Sequence, residues 1–285
     1  VAVDKSGNVL VTGDFTGAMD LGGCPLSKAG GSGLFVAKLD PSGACLWSKG
    51  VGGADRQSGS CVAVDNSGNV LVTGFYSGAM DFGGCSLSKA VGSSLFVAKL
   101  DPSGACLWSK GAGDAGSQSG KSVTVDGADN VLVTGDFIGA MDLGGCPLSM
   151  AGGPGLFVAK LDPSGACLWN KGAVGGGNQH GQGVAIDGAG NVLVTGYFNG
   201  SLSFGEGSIA SAGLTDFFLV KLDPAGGHLW NQRGGGHFGD IGYGVAVDSA
   251  NNVLVAGYFS GTADFGTGPL VSEGGSDVFV AKYGP

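Results

Sequence analysis

The sequence predicts an all-β chain assembled from one repeated, four-stranded unit, and three observations carry this. First, the chain repeats without a gap every 61 residues: Asp4, Asp65, Asp126, Asp187 and Asp248 end nearly identical Val-Ala-Val-Asp phrases. Trp47, Trp108, Trp169 and Trp230 keep the same step, as do Lys38, Lys99, Lys160, Lys221 and Lys282. Second, each period holds four short apolar bursts of strand character. Third, the 61 glycines fall between those bursts and show no Gly-X-Y period, so they read as turn and bulge residues. A gapless period of this size in a β-rich chain points to propeller blades or solenoid turns.

In the second repeat the strand signals are Val62 to Asp65, Val70 to Gly74, Leu95 to Leu100 and Cys106 to Lys110, here A to D. The A–B link Asp65-Asn66-Ser67-Gly68-Asn69 and the C–D link Asp101-Pro102-Ser103-Gly104 are hairpin turns by their chemistry. Proline presets φ at the first central position, glycine accepts φ > 0, and aspartate caps nearby amides. No stretch carries a helical period, because glycine interrupts the apolar residues every few positions. Four antiparallel strands with tight A–B and C–D turns form a propeller blade. The expectation is therefore a single five-bladed β-propeller over residues 1–285, with blades near 1–50, 51–111, 112–172, 173–233 and 234–285. The chain stops at Tyr283-Gly284-Pro285, so the last blade is expected to lack its outer strand and to leave an edge open to a partner.

The phrase from Gly244 to Gly257, Gly-Val-Ala-Val-Asp-x-x-x-Asn-Val-Leu-Val-Ala-Gly, is followed by Asp277-Val278-Phe279-Val280-Ala281-Lys282. Together they resemble the bacterial β-propeller repeat of SBBP type and are distantly similar to NHL-type blades. The resemblance covers the whole chain and implies a fold without implying a reaction.

A formal charge of -9 and a pI near 4.5 argue against nucleic acid or an anionic membrane as partner, since no Lys/Arg cluster is present to meet them. No run of about 18 apolar residues suggests a membrane span. The opening Val1-Ala2-Val3-Asp4 is read as lacking a signal peptide.

Seven cysteines fall into three pairs, Cys24 with Cys45, Cys85 with Cys106 and Cys146 with Cys167, and one remainder, Cys61. Repeats four and five carry Gly207 and Gly268 at the first position, and repeat four carries His228 at the second. Joint loss of both members is expected of a disulfide, because one orphaned thiol adds reactivity without stability. Closing such a loop contributes roughly 3 kcal/mol in the chain-entropy model. The alternatives are reduced, buried cysteines or zinc, the latter lacking a four-ligand set. Disulfides would place the protein outside the reducing cytosol, at an extracellular or cell-surface location, with Cys61 left as a free or intermolecular thiol.

Several motifs tempt and are declined. Ala115 to Ser122 has a loose Walker pattern, but it leads into strand A rather than a helix. Asp81-Phe82-Gly83 and Asp264-Phe265-Gly266 spell the kinase magnesium motif without its companions. The recurring Asp20, Asp81, Asp142 and Asp264 are expected to pair with the strand C lysines, as Asp81 with Lys99. The Asp-x-x-x-Asn turns, such as Asp187 to Asn191, read as capped turns rather than calcium loops. Asn199-Gly200-Ser201 is a glycosylation sequon. No Ser-His-Asp set can be assembled from three histidines, so no catalytic residue, metal or cofactor is expected and the chain is read as a non-enzyme.

Function is sought where the repeats differ. The D–A loops 50–61, 111–122, 172–183 and 233–244 bring Arg56, Lys121, His180, Arg233, His237 and Asp240. The strand B exits read Asp14, Phe75, Asp136, Tyr197 and Tyr258. Antiparallel geometry puts these two regions on one side of each blade. Phe75, Tyr197, Tyr258, His180, His237 and Asp240 are the candidate ligand-binding residues. The first expectation is a secreted or surface scaffold with a protein partner. The alternative is a multivalent, lectin-like propeller for carbohydrate, and self-association is expected through the incomplete fifth blade or Cys61.

Overall fold

The computed structural model describes residues 1–52, 55–88, 91–112, 115–150 and 153–285, so positions 53–54 and 113–114 of the D–A loops lie outside the described residues. The described chain is all-β. Repeat one supplies β1 (Ala2–Val3), β2 (Val9–Asp20), β3 (Pro25–Leu39) and β4 (Cys45–Val51). Repeat two supplies β5 (Gln57–Val64), β6 (Val70–Tyr76), β7 (Met80–Asp81), β8 (Ser86–Leu87), β9 (Val91–Leu100) and β10 (Cys106–Gly111). Repeat three supplies β11 (Ala115–Val125), β12 (Val131–Phe137), β13 (Ala140–Asp142), β14 (Pro147–Ser149), β15 (Gly155–Leu161) and β16 (Cys167–Gly172). Repeat four follows with β17 (Gln179–Ile186), β18 (Val192–Phe198), β19 (Ser201–Leu202), β20 (Ile209–Ala210), β21 (Asp216–Leu222) and β22 (His228–Gly236). Repeat five has β23 (Ile241–Val247), β24 (Val253–Asp264) and β25 (Pro269–Tyr283).

Within a repeat the strands meander in chain order, as in β1-β2-β3-β4 and β17-β18-β21-β22. The small hairpins β7-β8, β13-β14 and β19-β20 extend the B–C connection. The Walker-like stretch lies in β11, a strand throughout, and Phe82 of the Asp-Phe-Gly triplet is a core residue.

Two turns recur and explain why the period is so rigid. In the A–B turn, Asp65 Oδ1 accepts the amides of Ser67 and Asn69 while Asn69 Nδ2 donates to Oδ2 at 2.8 Å. The turn needs a left-handed residue, met by Gly7, Gly68 and Gly190 and, at the same repeat position, by Asp129 (φ 62°) and Asn251 (φ 63°). Asparagine and aspartate are the side chains that tolerate this conformation best. In the C–D turn, Asp101 Oδ1 accepts from the amides of Ser103 and Ala105 and from the Ser103 hydroxyl. Three C–D turns are also covered by the tryptophan of the preceding repeat. Trp47 donates to the Pro102 carbonyl at 3.0 Å, Trp108 to Pro163 at 3.1 Å and Trp169 to Pro224 at 3.2 Å. A Cβ on Gly165 would come within 2.9 Å of the Trp108 ring, so the turn glycine also serves close approach.

The strand C lysines do not pair as the sequence suggested. Lys99 Nζ lies 2.9 Å from Asp65, and Asp4–Lys38, Asp126–Lys160, Asp187–Lys221 and Asp248–Lys282 repeat the pair at the same distance. Asp81 instead accepts the amides of Gly83 and Gly84 in its own turn. Register is the reason. Strand C runs antiparallel to B, with Lys99 opposite Leu71 near the start of β6, so its side chain meets the A–B turn and not the B exit.

The chain divides into two compact units. One comprises Val1–Val133, Gly139–Ser149 and Ala159–Leu168. Its main core joins Leu10, Leu34 and Val36 of repeat one to Val70, Val72 and Phe96 of repeat two. The other comprises Thr134–Ile138, Met150–Val158 and Trp169–Pro285, and joins Leu193, Phe217 and Leu219 of repeat four to Val253, Val255 and Phe279 of repeat five.

Disulfides link Cys24 to Cys45, Cys85 to Cys106 and Cys146 to Cys167, and Cys61 is free. Repeat four replaces the disulfide with a hydrogen-bonded pair. His228 Nε2 and Asn231 Nδ2 are 3.1 Å apart, and Asn231 donates to the Gly207 carbonyl. Ser48 and Ser109 make the corresponding bond to the carbonyls of Cys24 and Cys85.

Two outcomes follow from the buried pairs. Lys99→Ala strands the buried Asp65 carboxylate and is expected to lower unfolding free energy by about 3–5 kcal/mol, whereas Asp65→Leu with Lys99→Met together should cost far less; urea unfolding of both variants measures the difference. The second concerns acid. At Asp65, Asp126 and Asp187 burial alone would raise the carboxyl pKa, but hydrogen bonds from the paired asparagine and lysine outweigh it and hold the group below its usual 3.8. Stability from these groups is therefore complete above about pH 5 and lost as pH falls, because the unfolded chain takes up protons first. The urea midpoint should drop steeply between about pH 5 and pH 2.

Candidate functional site

The start of strand A and the end of strand B are cross-strand neighbours, so residues that differ there between repeats meet by construction. In repeat four, His180 pairs with Tyr197 across β17 and β18. Their rings stack with centroids 4.5 Å apart and planes inclined by 21°. His180 Nδ1 lies 3.2 Å from Oδ1 of Asp136, the strand B exit of repeat three. The same geometry occurs between repeats one and two, where Ser58 Oγ donates to Asp14 Oδ1 at 3.0 Å. A strand B exit thus reaches the start of strand A in the following repeat, and His180 exploits that reach.

Beside this stack stands a pair of tyrosines. Tyr258, at the strand B exit of repeat five, and Tyr243, on β23, have centroids 5.7 Å apart at 47°. Burial pushes the Tyr197 phenol above its usual value, and the Asp136 charge, then Tyr243 and Tyr258, push it further. Tyr258 is raised by burial and then by Tyr243 and Asp240. Asp136, His180, Tyr197, Tyr243 and Tyr258 therefore form one surface: half-buried rings, one exposed ring at Tyr243, and one carboxylate.

The remaining candidates behave differently. Asp240 is fully buried, where Oδ2 accepts the Gly236 amide at 2.7 Å and Oδ1 that of Ser260 at 3.3 Å. Burial raises its pKa, and Asp216 adds to the effect. Asp216 is itself fully buried and accepts from Arg233 at 3.1 Å. Asp240 thus ties the Gly236 and Ser260 backbone together, with both of its oxygens taken up by amides. His237 is exposed and meets Phe238 edge-on. Phe75 belongs to the other compact unit, where the Arg56 guanidinium sits 5.3 Å above its ring. The sequence reading missed Tyr243 because its counterparts, Ser60, Lys121 and Gln182, show no aromatic series. The available signal was the break itself, a large ring where the other repeats carry none.

Among the described residues no cluster of three or more His, Cys, Asp or Glu could hold a metal, and no helix is long and apolar enough to cross a membrane.

No family model matches the chain. It is 25% identical to an uncharacterized WD repeat-containing protein, L264, of Acanthamoeba polyphaga mimivirus, across 99% of this chain. The chain spans only 26% of that relative's length. A solved structure of a protein of unknown function from Bacteroides caccae aligns over 88% of this chain and 69% of its own, with 14% identity and a TM-score of 0.47. WD repeats are propeller blades, so the first likeness points to a propeller-type repeat fold. Neither name specifies a chemistry, which leaves the aromatic surface to be tested through its own residues. Asp136→Asn removes a neighbouring negative charge, so the Tyr197 phenol should ionise at lower pH than in the parent protein, while burial still holds it above 10. Ultraviolet titration of tyrosinate, with Tyr197→Phe to identify the transition, measures the shift.

Proposed function

We propose that this chain is a non-enzymatic, five-bladed propeller scaffold that binds a protein partner through the Asp136, His180, Tyr197, Tyr243 and Tyr258 surface. The single observation that carries the reading is the arrangement of that surface. Rings from successive repeats stand together on rigid strands beside one carboxylate, while the recurring A–B turn aspartates and strand C lysines are occupied with each other. Tyrosines held in place lose little entropy on binding and are enriched among residues that dominate protein interfaces. The WD-repeat likeness supports the same reading. Three disulfides support a location outside the reducing cytosol.

One observation favours a second reading. The His180–Tyr197 stack lies next to the Asp136 carboxylate, and an aromatic face beside an acceptor also suits a sugar, whose ring stacks while its hydroxyls donate.

One paired experiment separates the two. The oxidised protein is used to select from a displayed random-peptide library and is applied in parallel to a glycan array. Selected peptides whose affinity falls by about tenfold or more in Tyr197→Ala with Tyr258→Ala support the protein-binding surface. Glycan binding that free sugar elutes, with no peptide dependent on those rings, replaces it with the lectin reading.

A further inference from the structure

The junction of repeats four and five holds two fully buried carboxylates, Asp216 and Asp240. Asp240 stands where repeats two, three and four carry the buried glutamines Gln57, Gln118 and Gln179. A Cβ on Gly235 would lie 2.5 Å from Asp216 Oδ1 and 2.7 Å from Asp240 Oδ2, so the two oxygens border one small space. The same space between repeats one and two, beside Gly52, holds a donor with an acceptor: Lys28 Nζ bonds Gln57 Oε1 at 3.2 Å. At Gly235 an acceptor meets an acceptor. Asp216 Oδ2 takes the Ala212 amide and Arg233 Nη1, while its Oδ1 is buried without a hydrogen-bond partner.

Arg233 is the cation that acts on both carboxylates, through its bond to Asp216 and through its charge on Asp240. The other ionisable groups of the surrounding strands are engaged elsewhere or carry no positive charge. Tyr258 on β24 and Tyr243 on β23 meet each other, and Tyr197 on β18 stacks on His180 of β17, which lies 3.2 Å from Asp136. On β25 the Asp277 carboxylate accepts the Glu273 amide in its own turn, and His237 of the loop itself is exposed. One guanidinium thus serves two buried carboxylates, and a second buried negative charge is costly. A proton removes that cost by turning one of the two acceptors into a donor.

We infer that Asp216 and Asp240 form a carboxyl pair holding one proton, carried on Asp240 and donated to Asp216 Oδ1, and that this proton locks the loops 211–215 and 237–240 together. Arg233 keeps the negative charge on Asp216, so the proton belongs on Asp240. The loops it joins are already paired through their backbones: Leu214 donates to the His237 carbonyl at 3.4 Å and Asp240 to that of Thr215 at 2.9 Å. Release of the proton to solvent leaves two carboxylates against one guanidinium and loosens both loops. Burial raises the Asp240 carboxyl above its ordinary 3.8, and the Asp216 charge raises it further. Its contribution to stability is therefore complete below that value and lost as pH rises through the folded one, opposite in direction to the A–B turn aspartates. The device stands beside the proposed binding surface, since Ile241 pairs with Tyr258 across β23 and β24, but it does not rest on what that surface binds.

Infrared spectroscopy and amide hydrogen exchange of the whole, oxidised chain test it. Protein labelled with carbon-13 in its aspartates should show the carbonyl stretch of a protonated carboxylic acid at about pH 6, where ordinary aspartates are ionised. As pH rises the band should disappear, and over the same range exchange at the Ala212 and Gly236 amides should quicken by about tenfold beyond its intrinsic pH dependence. In Asp216→Asn the amide oxygen keeps Ala212 and Arg233, and the amide nitrogen donates to Asp240 permanently. The band at about pH 6 should then be absent, and exchange should follow the intrinsic dependence alone. No band in the parent protein overturns the inference. So does a band that persists in folded Asp216→Asn, which assigns the proton to burial of Asp240 alone. Should that variant not fold, the parent decides: a band lost without any change in exchange at Ala212 and Gly236 overturns the lock. No ligand enters either measurement, so failure of the partner-binding reading leaves the result unaffected.

Discussion

The structure depends on one ion pair, repeated at every A–B turn and buried in all but the last repeat. Its aspartate performs two tasks at once: it caps the turn amides and accepts the lysine of strand C. That lysine would be costly to bury alone, since an unpaired charge out of water carries a penalty of several kcal/mol. The pair therefore fixes the register of strand C against the A–B hairpin. A slip of one residue would point the lysine to the opposite face and leave both charges stranded. Lys99 also reaches the Pro163 carbonyl at 3.4 Å, and Trp108 donates to the same atom. Internal register and inter-repeat packing are thus coupled through one proline carbonyl, and a period held by such contacts resists insertion or deletion.

Much of this was legible in the sequence, because it rests on local chemistry. The period, the four strands, both turn types and the cysteine pairs all express interactions between residues close in sequence or fixed at one spacing. What was not legible depends on register across strands. Asp81 looked a fair partner for Lys99 by recurrence alone, and only the antiparallel offset of β6 and β9 brings Asp65 there instead. The candidate surface divides in the same way. Tyr197, Tyr258 and His180 stood out as departures from a uniform series. Asp136 belonged to that series without a role until its reach into the next repeat was known, and Tyr243 broke a position that no series marked.

Departures from the repeat fall into two physical kinds. Some conserve an interaction by other means. Asn231 makes through its amide the bond that Ser48 and Ser109 make through hydroxyls, and His228 fills the site of the lost cysteine. Asp129 and Asn251 hold the left-handed turn that glycine holds elsewhere. Others add something the repeat does not need. The His180–Tyr197 stack, the exposed Tyr243 ring and the Arg56–Phe75 contact replace smaller or differently shaped side chains, and no turn or core position requires them. Substitutions of the second kind are where a binding function is most economically built, because they leave the ion pairs and turns untouched.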